Sequence, residues 1–379
     1  MNKAPRDSIL EKCRYFLLNQ LALRLPLSDS VSDALVVYSP GHLGDILHVV
    51  PMLKTLREGK PESKIIWLVG PWSETLARRY HKLVDEIRIF GPQYPQYTRG
   101  KREWRQGAWT QWRLARTLRR EGVATFIGAA DAVSRFLVNL ICPKLWLGIG
   151  EWRPPRVRSE VETHFQPYEK DRYEADAWAG VLQGLGIKAT TDRLDYSVTL
   201  DEARAAREFL ETEGVDAARP LALIAPGSGW SGKNWLPERF AALAAWLVKE
   251  KGFQVAWVGG ADEGRLVSEL GSDTFDWTGK TSLPLVAAVM EKARLFVGND
   301  GGLLHFATAL DLPTVSIWGP TSSGKWGPKG ELHHLIHKME RCRGCVYWDY
   351  RVCCSEGHRC MKAVSFEDVQ SAVDSVLSR

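Results

Sequence analysis

Two successive runs of short apolar segments alternating with helical patterns govern what this chain can fold into. In the first run Ala34–Tyr38, Lys64–Val69, Glu86–Phe90, Val123–Ile127 and Lys144–Ile149 read as strands, with helical spacing over Gly44–Glu58, Ser73–Tyr80 and Ala132–Leu140. In the second, Leu221–Ala225, Gln254–Val258, Leu295–Gly298 and Thr314–Trp318 read as strands, with helices over Pro237–Lys251, Leu283–Lys292 and Leu303–Leu310. Apolar strands joined by helices predict a parallel sheet covered on both faces. The alternation pauses at Glu151–Tyr168, a polar, proline-bearing stretch expected to be a loop or linker, resumes with a helix over Ala175–Leu185, and breaks near residue 190. The chain of 379 residues therefore divides into an N-terminal helix (1–30), an α/β domain (31–190), a second α/β domain (191–340) and a cysteine-rich loop with a last helix at Phe366–Leu377 (341–379).

Composition narrows the function classes. A net charge of +5 is too mild to imply nucleic acid. No apolar run approaches the roughly 18 residues of a spanning helix. The first residues do not read as a secretory signal, because Arg14, Asn19, Gln20 and Arg24 interrupt the apolar stretch. A cytoplasmic protein is expected. Ile9, Leu10, Cys13, Phe16, Leu17, Leu21 and Leu25 suit a helix packed on the first domain, or one lying in a membrane interface. The 16 tryptophans point to places where a large ring keeps a polar edge wet: sugar sites, interfaces, membrane surfaces.

Three segments carry chemistry, each between a strand and a helix. Ser39-Pro40-Gly41-His42-Leu43-Gly44-Asp45 ends with a carboxylate in a first helical turn, where it can cap the helix or act as a base. Ala225-Pro226-Gly227-Ser228-Gly229-Trp230-Ser231-Gly232-Lys233-Asn234-Trp235 has the parts of a phosphate cradle, although neither the P-loop nor the Gly-x-Gly-x-x-Gly spacing is present. Gly298-Asn299-Asp300-Gly301-Gly302-Leu303-Leu304-His305 would aim the amides of Gly301, Gly302 and Leu303 at an anion.

In this order and spacing the segments resemble glycosyltransferase family 9, the ADP-heptose lipopolysaccharide heptosyltransferases. Gly44-Asp45 with Pro51, Pro226-Gly227-Ser228 with Lys233-Asn234-Trp235, Gly279-Lys280-Thr281-Ser282-Leu283, Asn299 to His305, Gly319-Pro320-Thr321 and His358-Arg359-Cys360-Met361 all match the family's pattern, over about residues 34–375. The resemblance implies a GT-B fold: two Rossmann-like, doubly wound domains facing a cleft, acceptor on the first and donor on the second. It implies an inverting transfer with Asp45 as general base. Ser228 and Lys233 would hold the donor diphosphate, Thr281 would lie near the adenine, and Asp300, Gly301, Gly302, Leu303 and His305 would shape the donor site. Two departures concern the donor: Tyr38 stands where the family often has Arg, and Gly301 replaces Ser or Thr. A single displacement needs a base on the acceptor hydroxyl and a cation on the leaving diphosphate, and neither role requires a metal or other cofactor.

Arg99–Arg120 holds eight basic residues against one acidic, with Trp104, Trp109 and Trp112 interleaved. It reads as a solvated helix, or as a surface where Arg113, Arg116, Arg119 and Arg120 meet anionic lipid or a phosphorylated glycolipid acceptor. Cys342 and Cys345 have knuckle spacing, and with Cys354 (or Cys353) and Cys360 they could close a structural zinc or iron site, His358 being a substitute ligand; buried thiols are the alternative. The expectation is thus a peripheral enzyme on the inner face of the cytoplasmic membrane, moving heptose from ADP-heptose to a lipopolysaccharide-core acceptor. The rivals are another nucleotide sugar, a protein or polysaccharide acceptor, and a catalytically silent family member serving in assembly.

Overall fold

The computed structural model describes residues 20, 22, 32–91, 108–150, 157–263, 273–338, 345, 354 and 357–379. By contacts the chain divides into two units: residues 1–169 with 174–193, and residues 170–173 with 194–379. Each unit is built on one six-stranded, wholly parallel sheet.

In the first unit the strands are β1 (Leu35–Ser39), β2 (Ile65–Val69), β3 (Glu86–Ile89), β4 (Thr125–Ile127), β5 (Leu145–Gly150) and β6 (Glu162–Pro167), in the spatial order β3-β2-β1-β4-β5-β6. Its helices are α1 (Leu43–Gly59), α2 (Glu74–Ala77), α3 (Ala108–Arg120), α4 (Ala132–Ile141) and α5 (Glu174–Val181). β1 and β2 are buried along their whole length, as their uninterrupted apolar sequences require. β6 corrects the expectation for Glu151–Tyr168: its Glu162–Pro167 portion pairs with β5 as an edge strand. An edge strand contributes one partly exposed face, so it can be polar and end in proline, and the apolar signal disappears.

The second unit repeats the topology. Its strands β7 (Leu221–Ala225), β8 (Gln254–Trp257), β9 (Phe275–Asp276), β10 (Leu295–Asn299), β11 (Thr314–Ile317) and β12 (His333–Ile336) lie in the order β9-β8-β7-β10-β11-β12. The helices are α6 (Leu200–Thr212), α7 (Pro237–Lys251), α8 (Leu283–Met290), α9 (Gly302–Ala309), α10 (Ser323–Trp326), α11 (Arg359–Ala363) and α12 (Phe366–Leu377). α12 starts in a capping box between Ser365 and Asp368, and its buried Val369, Ala372, Val373 and Val376 share a core with Trp235, Phe240 and Val315.

The tryptophans account for much of both cores. Trp67, Trp146, Trp235, Trp257, Trp277 and Trp318 are fully buried. Each indole N–H finds an acceptor: the Ser39 hydroxyl, the Gly128 carbonyl, the Val364 carbonyl, the Thr274 hydroxyl, a Glu213 carboxylate oxygen and the Ser316 hydroxyl. These six therefore serve packing, with the polar edge satisfied inside and not by solvent or a ligand.

Candidate active site

The second unit gathers its candidate residues at the carboxyl edge of its sheet. β7 and β10 are neighbours from which the chain winds outward in opposite directions, so the loops after them flank the crevice where open α/β sheets bind ligands. Asn299, the last residue of β10, pins the loop after β7 at both ends. Its Nδ2 donates to the Pro226 carbonyl at 2.8 Å, and its Oδ1 accepts the Trp235 N–H at 2.9 Å. Inside the loop the Ser228 hydroxyl lies 2.7 Å from the Trp230 carbonyl and 2.6 Å from Asn234 Oδ1, and the Lys233 N–H returns to the Trp230 carbonyl at 3.0 Å. Ser228, expected to hold phosphate, braces the loop that presents Lys233.

The Lys233 ammonium sits 3.0 Å from Asp300 Oδ2, and the Thr321 hydroxyl donates to the same oxygen at 2.7 Å. The two charged side chains are only 9% and 8% exposed. Burial pushes the Asp300 carboxyl up, but the Lys233 charge, nearby His305 and the hydrogen bonds from Thr321 and Lys233 outweigh it and hold the group below the usual carboxylate range. Three of the expected residues, Lys233, Asp300 and His305, are thus brought together at the crevice. His305 is buried on α9, whose first residue is Gly302 and whose N-cap is Gly301. A Cβ on Gly302 would meet nothing within 4 Å, and one on Gly301 nothing nearer than 3.8 Å, so α9 begins beside open space at these two glycines, with Leu303 half-buried after them. Gly301 is extended, and nothing in the structure explains glycine in place of Ser or Thr there.

Thr281 lies beyond β9, two strands from the Lys233–Asp300 pair. Its turn is held by Gly279, at φ +69°, where an added Cβ would fall 2.8 Å from the Cα of Ala261 in the loop after β8. That loop carries a residue the sequence reading missed. Glu263 accepts the Gly260 N–H at 2.7 Å, and its carboxylate occupies the space that a Cβ on Gly227 or Gly259 would need, at 2.3 and 1.7 Å. The two glycines therefore seat an acid beside the loop after β7. The available signal was an acidic residue soon after the second strand of a Rossmann-like unit.

In the first unit the matching crevice lies between β1 and β4. Asp45 stands there, half-buried in the first turn of α1, and its Oδ2 accepts the His42 N–H at 2.6 Å. A Cβ on Gly41 would fall 2.3 Å from the Asp45 Cβ, so only glycine admits this arrangement. The Gly41 carbonyl accepts the Trp72 indole N–H at 2.8 Å, and the ring of Trp72 fills the space over Gly70. This one carboxylate accepts the N-cap amide of α1 and stands at the carboxyl edge of the sheet. Tyr38 is buried against Phe90 and Phe126, in the core and not at the edge.

Helix α3 presents Arg113, Arg116 and Arg120 to solvent and buries Gln111, Ala115 and Leu118. Arg119 departs from the expected surface: it is half-buried and donates to the Leu140 carbonyl in the last turn of α4 at 2.9 Å. Arg99, Lys101, Arg102 and Arg105 lie outside the described residues, as do Cys342, Cys353 and all but two residues of the expected N-terminal helix. Of the expected thiols, Cys345, Cys354 and Cys360 are described, and Cys354 is half-buried. Cys345 is exposed, whereas Cys360 is buried in the second unit's apolar core, and among the described residues no three His, Cys, Asp or Glu side chains converge to hold a metal. Cys360 packs at Gly319, where an added Cβ would come within 2.9 Å of its sulfur.

Known proteins resemble this chain in sequence and in fold. The family model described as "Glycosyltransferase family 9 (heptosyltransferase)" matches residues 173–349. The chain is 21% identical over 328 residues to the lipopolysaccharide core heptosyltransferase OpsX of Haemophilus influenzae, covering 83% of this chain and 87% of that protein. Among solved structures, a family 9 glycosyl transferase from Veillonella parvula superposes with a TM-score of 0.72 at 22% identity, over 92% of this chain and 98% of that one. The E. coli ADP-heptose LPS heptosyltransferase II gives 0.66 at 18% identity, over 91% and 98%.

Proposed function

We propose that this chain is a member of glycosyltransferase family 9 and moves a heptosyl group from ADP-heptose to a lipopolysaccharide-core or related glycolipid acceptor. The observation that carries the reading is the buried Lys233–Asp300 pair beside the open first turn of α9, at the crevice of the second sheet. A buried ammonium paired with a carboxylate, beside the amides that open α9, suits a diphosphate that brings its own negative charge. Glu263 follows the second strand of this Rossmann-like unit, where an acid accepts ribose hydroxyls, and Thr281 flanks the same loop on the adenine side.

The first unit supplies the base. The acceptor hydroxyl gives its proton to Asp45 as its oxygen bonds to the anomeric carbon, and the bond from that carbon to the diphosphate breaks with inversion. Lys233 and the amides of α9 stabilise the charge that accumulates on the departing ADP. These side chains complete the transfer, and no cofactor enters the step. No described helix is long and apolar enough to cross a membrane. Arg113, Arg116 and Arg120 on one exposed face of α3 support attachment to an anionic lipid surface or to an acidic acceptor, at the cytoplasmic side where a nucleotide sugar is available.

The test is a panel of nucleotide sugars scored by melting shift, followed by transfer to a heptose-free core acceptor read as a mass gain of one heptosyl unit. ADP-heptose should give the largest shift and the product. A larger shift with a uridine or guanosine sugar would overturn the donor assignment. Binding without release of ADP, in the presence of acceptor, would identify a silent family member.

A further inference from the structure

The motif His358-Arg359-Cys360-Met361 lies more than a hundred residues beyond the loop after β7, yet it packs against that loop. The rings of His358 and Trp230 meet edge to face, with centroids 5.4 Å apart and planes at 81°. The same indole lies over Gly232, where a Cβ would fall 2.4 Å from the ring. Trp230 is in turn bonded to both ends of the phosphate-binding candidate: its carbonyl accepts from the Ser228 hydroxyl and from the Lys233 N–H. His358 is held in place by unusual means. Its backbone is left-handed, φ 56° and ψ 40°, a region that non-glycine residues rarely occupy, and its N–H donates to Cys354 Sγ at 3.3 Å. Two residues later, Cys360 and Met361 close over Gly319, whose loop carries the Thr321 hydroxyl that bonds Asp300. The ring of His358 therefore packs against the indole of the one residue whose carbonyl accepts, within this loop, from both Ser228 and Lys233.

We infer that His358 is a positioning residue for the donor: its ring sets Trp230, and through it the Ser228–Lys233 loop, in the conformation that receives the diphosphate. The inference rests on that loop being the donor loop. A rigid pre-set loop binds nucleotide without first ordering itself, so loss of the ring should weaken ADP and donor binding while the chemical step stays largely intact.

The test uses the full chain with His358→Asn, which tolerates the left-handed backbone but lacks the ring, Trp230→Leu, and the double variant. Hydrogen exchange of amides 227–235 should accelerate in His358→Asn, with exchange in α6 unchanged as the control. The Kd for ADP and the donor KM should rise about three- to tenfold, the span of one aromatic pair, with kcat nearly constant. The double variant should bind ADP no worse than Trp230→Leu alone. Multiplicative losses in the double variant, or unchanged exchange over 227–235, would overturn the inference. Faster exchange with unchanged ADP affinity would also overturn it, provided Lys233→Ala still weakens ADP. If Lys233→Ala leaves ADP binding intact as well, the donor reading of the loop has failed, and the inference fails with it.

Discussion

Lys233 and Asp300 are each the condition for the other's burial as an ion. Removing the ammonium leaves a buried carboxylate with the Thr321 hydroxyl and nearby His305 but without its ion-pair partner, so Lys233→Met should destabilise the protein by about 3–5 kcal/mol as well as weaken ADP binding. Denaturant melts of Lys233→Met and of Lys233→Met/Asp300→Leu separate the two effects: the double variant should recover much of the stability and none of the affinity. Asp45→Asn can still accept the His42 N–H, so it should melt like the wild type while turnover falls roughly 10²–10⁴-fold, the usual span of a lost general base. Gly41→Ala offers an independent check, since its methyl group would displace the Asp45 carboxylate; a loss of turnover comparable to Asp45→Asn with ADP affinity retained is expected. Most of these residues were legible in the sequence because glycines and single charged residues stand at strand-to-helix junctions. What was not legible was their partnership. Nothing in the order of residues says that Lys233 pairs with Asp300, or that Gly227 and Gly259 are small in order to seat Glu263.

At the scale of elements, α3 shows how far a pattern reaches. A basic, aromatic stretch announces a charged helix, but only its docking on the sheet separates the arginines. Arg113, Arg116 and Arg120 share one exposed face at spacings of three and four, while Arg119 turns in to the end of α4. Replacing the three exposed arginines with Gln should lower the partition onto anionic vesicles by about 1 kcal/mol per charge, measured by co-sedimentation at low salt. Arg119→Gln should leave vesicle binding unchanged and lower the melting temperature instead. Equal vesicle binding by the triple variant and the wild type would return α3 to the role of a solvated surface helix. β6, β9 and β12 escaped the sequence reading for a related reason: short strands or sheet edges bury too little apolar surface to leave a periodic trace.

For the molecule as a whole, the doubled architecture and its ligand edge were set by alternation alone, whereas its response to pH depends on packing. His333 on β12 faces the Thr314 hydroxyl at 3.0 Å across the strand pair, and burial depresses its pKa to about 4, partly offset by Asp311. The unfolded chain, titrating near 6.5, binds this proton more readily than the folded one, so the group costs stability as pH falls from about 6.5 towards 4 and nothing further below. Melting temperatures of the wild type should fall over that window, and His333→Gln should flatten the slope; identical slopes would remove His333 as the cause. Two parallel α/β units, the candidate strand-to-helix loops and the resemblance to a family could be read from the order of residues, because apolar periodicity and glycine placement are local properties. It took packing between distant segments to make six tryptophans core, to set Cys360 at Gly319 and to bring His358 against Trp230. Those outcomes depend on which surfaces meet when distant segments pack, and residues far apart in the chain carry no mark of that meeting until the core has formed.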